Sequence, residues 1–241
     1  MRKTAALLSF LLPFATLAQT ADQIIQEYLR AIGGLEKLKK VQTVKMTGNF
    51  VQGTLTIPMT LYQKRPNMHL VEVTFQGMTQ KIAYDGKEAW SIDPFQGRTV
   101  AAKLDADQTK QQRFQADIDG PLVDYAAKGY KVDYVGKETI DGVPAFHLRL
   151  TTQEGDIYDY FFDEETYLLI KEKSNVKMQD GSVESQEINF SDYKEINGLL
   201  IPHSMEMVGE FQGQKFSSYI NIESVVHNVP LDESMFRMPE K

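Results

Sequence analysis

The chain has 241 residues, no cysteine, and 26 basic against 33 acidic side chains, a formal charge of −7. The lack of cysteine excludes disulfides, thiolate metal sites and a lipid attached to a cysteine behind a leader. An acidic chain with no basic stripe interleaved with aromatics excludes nucleic acid as a partner and a standing electrostatic grip on anionic headgroups.

Residues 1–18 read as a secretory leader: Arg2 and Lys3 give a positive start, Ala5 to Leu12 an apolar stretch, and Thr16-Leu17-Ala18 a small-x-small end. The stretch is too short and wrongly flanked to span a bilayer, and no later apolar run approaches the roughly 20 residues a membrane helix needs. The expected mature chain starts near Gln19 and forms a single domain over 19–241. Without Arg2 and Lys3 it carries 24 basic against 33 acidic side chains, a formal charge of −9.

A helix opens this chain. Thr20 and Gln23 form a capping-box pattern, Ile24, Ile25, Tyr28, Leu29 and Ile32 an apolar stripe, and Gly33-Gly34 the stop, with one short turn over Leu35 to Lys40. From Val41 the period changes to two. In TLTIPMTLY, Leu55, Ile57, Met59 and Leu61 point one way and Thr54, Thr56, Thr60 and Tyr62 the other, with Pro58 marking an edge or a bulge. Further strands are predicted over Val41 to Val51, Met68 to Phe75, Met78 to Tyr84, Glu88 to Ile92 and Arg98 to Lys103. Asp105 can cap a polar helix running toward Asp117, and Gly120-Pro121 starts a shorter helix ending before Gly129. Phe114, Ile118, Leu122 and Tyr125 give this insert a thin apolar stripe, so it should lie on something rather than inside it. Strands resume at Tyr130, separated by Asp141-Gly142, Glu154-Gly155, Glu164-Glu165, Asp180-Gly181, Asn197-Gly198 and Gln212-Gly213. The pattern predicts one large antiparallel sheet, curled or nearly closed.

Signs of catalysis are sparse. The G-x-S-x-G, phosphate-loop, dinucleotide and H-E-x-x-H patterns are all missing, and His69, His147, His203 and His227 lie on different predicted strands, so neither a metal nor a cofactor is expected. Asp117 to Gly120 reads as helix termination, and Asp163-Glu164-Glu165 as a solvated hairpin tip. Met59, Met68, Met205 and Met207 stand on strands among other apolar residues, which suits either a plain core or a cavity for a flexible apolar ligand.

KRPN before a strand, then YDGKEAWSIDPF with its Asp-Gly-Lys turn, Trp90 and Asp-Pro-Phe ending, resembles the LolA-like family of periplasmic outer-membrane lipoprotein carriers. The order helix, strands, helical insert, strands also fits, and DIDGPLVDYAAKGYKV is similar to a longer lipoprotein-sorting subgroup. The resemblance implies a mainly β fold with α, a half-open antiparallel barrel with an N-terminal helix and a helical lid over its concave face. It further implies a monomeric periplasmic carrier that takes acylated lipoproteins or other lipids from an inner-membrane transporter to an outer-membrane acceptor. Arg65 corresponds to the family's functional arginine. The expected ligand-binding residues are Arg65, Leu55, Ile57, Met59, Leu61, Trp90, Phe114, Ile118 and Leu122. The chain departs from the family in its extra strand-rich sequence after Gly129. Two rivals are a lipid-sensing module with a stable protein partner and a hydrolase with opposed carboxylates.

Carrier physics adds an expectation. Each buried methylene contributes roughly 0.8 kcal/mol, so three acyl chains would give tens of kcal/mol, beyond reversible binding. An empty cavity closed on itself would offset that gain. Phe114, Ile118 and Leu122 would then pack on Leu55, Ile57, Met59 and Leu61, and Arg65 would donate to carbonyls of the insert. The opposite register, with Thr54, Thr56 and Tyr62 inward, stays open, because a one-residue slip inverts a strand.

Overall fold

The computed structural model describes residues 19–240 except 212 and 213; the expected leader lies outside the described residues. Helix α1, Ala21–Ala31, starts where Thr20 and Gln23 cap each other reciprocally, and α2, Leu35–Lys40, follows the Gly33-Gly34 stop. Six strands come next: β1 Thr43–Gln52, β2 Leu55–Lys64, β3 Met68–Phe75, β4 Met78–Tyr84, β5 Ala89–Asp93 and β6 Arg98–Lys103. Helix α3, Ala106–Gln115, is capped at Asp105 as its sequence predicts. Seven more strands complete the sheet: β7 Lys131–Ile140, β8 Val143–Thr151, β9 Ile157–Asp163, β10 Leu169–Lys177, β11 Val183–Ile196, β12 Leu199–Phe211 and β13 Gln214–His227.

All thirteen strands form one antiparallel sheet in the order β6-β5-β4-β3-β2-β1-β13-β12-β11-β10-β9-β8-β7. Each neighbouring pair is consecutive in the chain except β1 with β13. The sheet stays open: its edges, β6 and β7, do not pair with each other. Because these edge strands follow one another in the chain, the insert between them must cross from one free edge to the other. It passes over the concave face, where Gln111, Phe114 and Pro121 line one cavity with residues of β1 to β3 and β10 to β13.

Local chemistry sets the register. Asp141-Gly142 and Asn197-Gly198 both take left-handed conformations, as the tight turns of β7-β8 and β11-β12 require. At Thr47 and Gly48 the pairing with β13 shifts, and a Cβ on Gly48 would stand 2.2 Å from the Asn221 carbonyl oxygen, so only glycine fits this close approach. Pro58 lies beyond the stretch of β2 that pairs with β3, where its missing N–H costs no ladder bond on that side. The shorter helix expected over Gly120 to Gly129 is instead a series of turns. Asp124 has φ +52°, which a right-handed helix cannot contain.

Packing divides the molecule into two faces. On the concave face, Ile24 and Ile25 of α1 pack with Leu122, Phe146, Leu148, Leu150, Tyr160 and Phe162. A second concave cluster gathers Val41, Val44, Leu199, Ile222 and Val225, with Ile118 against it. The other face of β2 to β5 is covered by the C-terminal segment. There Leu70, Ala83 and Trp90 pack on Phe236, and Trp90 Nε1 donates to the Phe236 carbonyl at 2.8 Å.

Candidate functional site: a covered cavity

A cavity of about 780 Å³ lies between the concave face and the insert. Met59 and Leu61 of β2, Met46 of β1, Val71 of β3, Ile188 of β11, Met205 and Met207 of β12 and Ile220 of β13 give it an apolar wall, and Phe114 of α3 lines its insert side. This volume falls within the range of small-ligand sites, roughly 300–1,000 Å³. It also settles the register of β2: Met59, Leu61 and Gln63 face inward, whereas Tyr62 packs in the cluster on the opposite face.

The other expected site residues are dispersed. Leu55 and Ile57 share the inward parity of β2 but stand outside the cavity lining, and Leu55 is 37% exposed. Ile118 packs at the base of the concave face and Leu122 against α1. Trp90 belongs to the opposite face under the C-terminal segment and is only 3% exposed.

The insert does not rest its stripe on β2, contrary to the closed-cavity expectation. Phe114 stacks on Tyr158 of β9 with ring centroids 4.3 Å apart and planes 10° from parallel. Open cavity separates this stack from Met59 and Leu61, so the apolar contacts of the insert fall on β9, α1 and the base of the sheet. At its near end, Ala116 packs with Tyr84, Ala89 and Leu104 beside β4 and β5. Polar side chains of α3 span to the far half of the sheet: Lys110 donates to the Lys177 carbonyl at 2.8 Å, and Gln111 to Glu184 at 2.9 Å. Asp107 accepts from the Gln179 N–H at 2.8 Å. A polar seam thus runs between α3 and the β9 to β11 side.

Arg65 lies in the turn between β2 and β3. Its Nε donates to the Val41 carbonyl at 2.6 Å, and one terminal nitrogen to the Leu38 carbonyl at 3.2 Å. Both terminal nitrogens grip the Asp119 carboxylate, at 2.9 and 2.5 Å. The carbonyls therefore belong to the end of α2, and the insert contributes a carboxylate instead. Lys39 adds a bond to Asp119 at 2.8 Å. Burial pushes the Asp119 carboxyl up, but the bonds from Arg65 and Lys39 outweigh it and hold the group at about 2. Asp117 performs the termination read from DIDG, accepting from the Asp119 N–H at 3.1 Å. Asp119 itself carried no sign of its partner, because Arg65 lies 54 residues away.

Sequence reasoning missed two polar groups in the cavity wall. His69 is 1% exposed, and neither ring nitrogen has a partner among the described residues. Burial drives its pKa down to about 4, so the ring is neutral. Glu172 of β10 also lines the cavity, and burial pushes its carboxyl up to about 7. Counting back by two from the buried Val176 would have put Glu172 inside, but the charged residues on either side of it hide that parity. Two further carboxylates face the cavity: Asp117 is paired with Lys128, and Glu184 accepts from Gln111.

Among the described residues, no group of three or more His, Asp or Glu side chains is placed to hold a metal ion, and no helix is long and apolar enough to cross a membrane. No protein-family model matches the chain, and no curated protein matches it. Solved structures do. A LolA superfamily protein from Nitrosomonas europaea aligns over 91% of this chain and 98% of its own, with TM-score 0.60 and 14% identity. A DUF1329 family protein from Desulfovibrio piger aligns over 90% and 96%, with TM-score 0.61 and 14% identity. A putative outer membrane lipoprotein-sorting protein domain from Vibrio parahaemolyticus aligns over 89% and 94%, with TM-score 0.56 and 14% identity. The class thus defined is one of fold: an open antiparallel sheet with an N-terminal helix, shared with LolA-type and lipoprotein-sorting structures along nearly the whole chain.

Proposed function

We propose that the protein is a non-enzymatic periplasmic carrier that takes the acyl chains of lipoproteins, or of other envelope lipids, into the cavity and shuttles them towards the outer membrane. One observation carries this reading: a mainly apolar cavity of about 780 Å³ whose covering helix α3 meets the β9 to β11 side through polar bonds beside the Phe114-Tyr158 stack. Apolar walls supply affinity, and a polar seam can be broken and remade in water at small net cost. Lipid chains would enter between α3 and the β9 to β11 side, separating Phe114 from Tyr158. The Arg65-Asp119 pair would hold the closed form, so that loading works against it and release is favoured by its return. An inner-membrane donor and an outer-membrane acceptor follow as partners of a monomeric carrier.

The test is transfer. The mature protein, purified from periplasm and incubated with an acylated lipoprotein in detergent, should yield a soluble one-to-one complex by native mass spectrometry and deliver the cargo to acceptor vesicles. Failure to take up acyl cargo under any loading condition would remove the carrier reading. A stable complex that never transfers would point to a sensor.

A further inference from the structure

Glu172 is a carboxyl in the cavity wall with no partner among the described residues. Its register neighbours are Tyr160 of β9 and Ile188 of β11, neither of them basic. Tyr160 is 2% exposed, and its hydroxyl is also unpartnered. The hydroxyls of Tyr28 on α1 and Tyr158 on β9 lie close enough to feel the Glu172 charge, which adds to the effect of burial in raising both. The two lysines beside Glu172 serve the other face. Lys171 donates to Asp141 and Glu187, and Lys173 lies over the Phe161 ring. On β3, the buried His69 also has no side-chain partner among the described residues.

Among the described residues, the charged ones that line this cavity are Asp117, Glu172 and Glu184, with no Lys or Arg. An anionic headgroup drawn inside would meet only like charge. A donor would satisfy a half-buried carboxyl that no described residue partners. On the carrier reading, we propose that Glu172 is the polar anchor of the cavity, selecting amphiphiles whose buried polar end bears an N–H donor, ammonium or amide, over those ending in an anion.

The test uses four twelve-carbon probes on the full mature protein at pH 8, competing with an environment-sensitive dye bound in the cavity: dodecylamine, N-dodecylacetamide, methyl laurate and laurate. The N–H probes should bind about tenfold more tightly than methyl laurate, and laurate should bind most weakly. Glu172→Leu should abolish the preference for both N–H probes. Glu172→Gln, which removes the charge but keeps an acceptor, separates the two sources: an ammonium loses its advantage and an amide keeps it. Thermal melts check that both variants fold, and the near-isosteric glutamine guards against an unfolded leucine variant. Equal binding of all four probes, or a preference that survives Glu172→Leu, overturns the anchor and leaves the carrier standing. If no probe displaces the dye and no lipid is taken up, anchor and carrier fall together.

Discussion

Arg65 joins three segments through one guanidinium: the end of α2, the β2-β3 turn and the insert. Its side chain is 20% exposed and that of Asp119 9%, so removing either leaves a largely desolvated charge behind. A double-mutant cycle with Arg65→Leu and Asp119→Leu should show a coupling of about 1–3 kcal/mol in denaturant unfolding. Arg65→Lys should recover little of it, since one ammonium cannot reproduce the planar grip on carboxylate and carbonyls. In the transfer assay, Arg65→Leu should shift the balance of loading and release, and unchanged kinetics would end its role as a clamp. Acid probes the same pair. The Asp119 carboxyl is held at about 2, below its usual 3.8, so the stability it contributes is present above about pH 4 and lost as pH falls towards 2. That loss should disappear from the acid unfolding curve of Asp119→Asn.

Trp90 and the C-terminal segment form a structural element on the face away from the cavity. Trp90 is the only tryptophan, so fluorescence reports this element alone. Its emission should be blue-shifted in the folded protein, shift red on unfolding, and stay fixed when an amphiphile fills the cavity. A ligand-induced shift would mean that the two faces are coupled. Trp90→Phe should cost about 2 kcal/mol through lost packing and the lost bond to the Phe236 carbonyl, with ligand affinity unchanged.

Across the whole molecule, one open sheet has two unpaired edge strands and a single insert connects them. If ligands enter at the polar seam, tying α3 to the far half of the sheet should close the route. The chain has no cysteine, so Gln111→Cys with Glu184→Cys gives a clean site for a short bifunctional linker where the native side chains meet at 2.9 Å. The linked protein should fail to load, and reduction of a cleavable linker should restore it. The same linker between cysteines at Glu88 and Lys103, which pair at 2.6 Å near the sheet edge, should leave loading intact. Uptake by the protein linked at the seam would place the route elsewhere.

Much of the fold is written locally. The capping box at Thr20, the turns at Asp141-Gly142 and Asn197-Gly198, and the Asp105 cap of α3 depend on neighbours a few residues away. The strand limits over Met68–Phe75, Met78–Tyr84 and Arg98–Lys103 follow in the same way from periodicity and turn residues. Arg65 was legible as a site candidate through its motif. Its partner Asp119 was not, because that contact exists only after the insert has crossed the sheet. Inward parity on β2 needed the position of the opposite wall, since alternation names two faces without saying which is covered. Trp90 fell on the wrong side for the same reason, the C-terminal segment that buries it being 146 residues away. Glu172 and His69 needed most from the tertiary structure. Whether a polar side chain in a strand meets water or a cavity is decided by what packs above it, and the sequence around it does not record that.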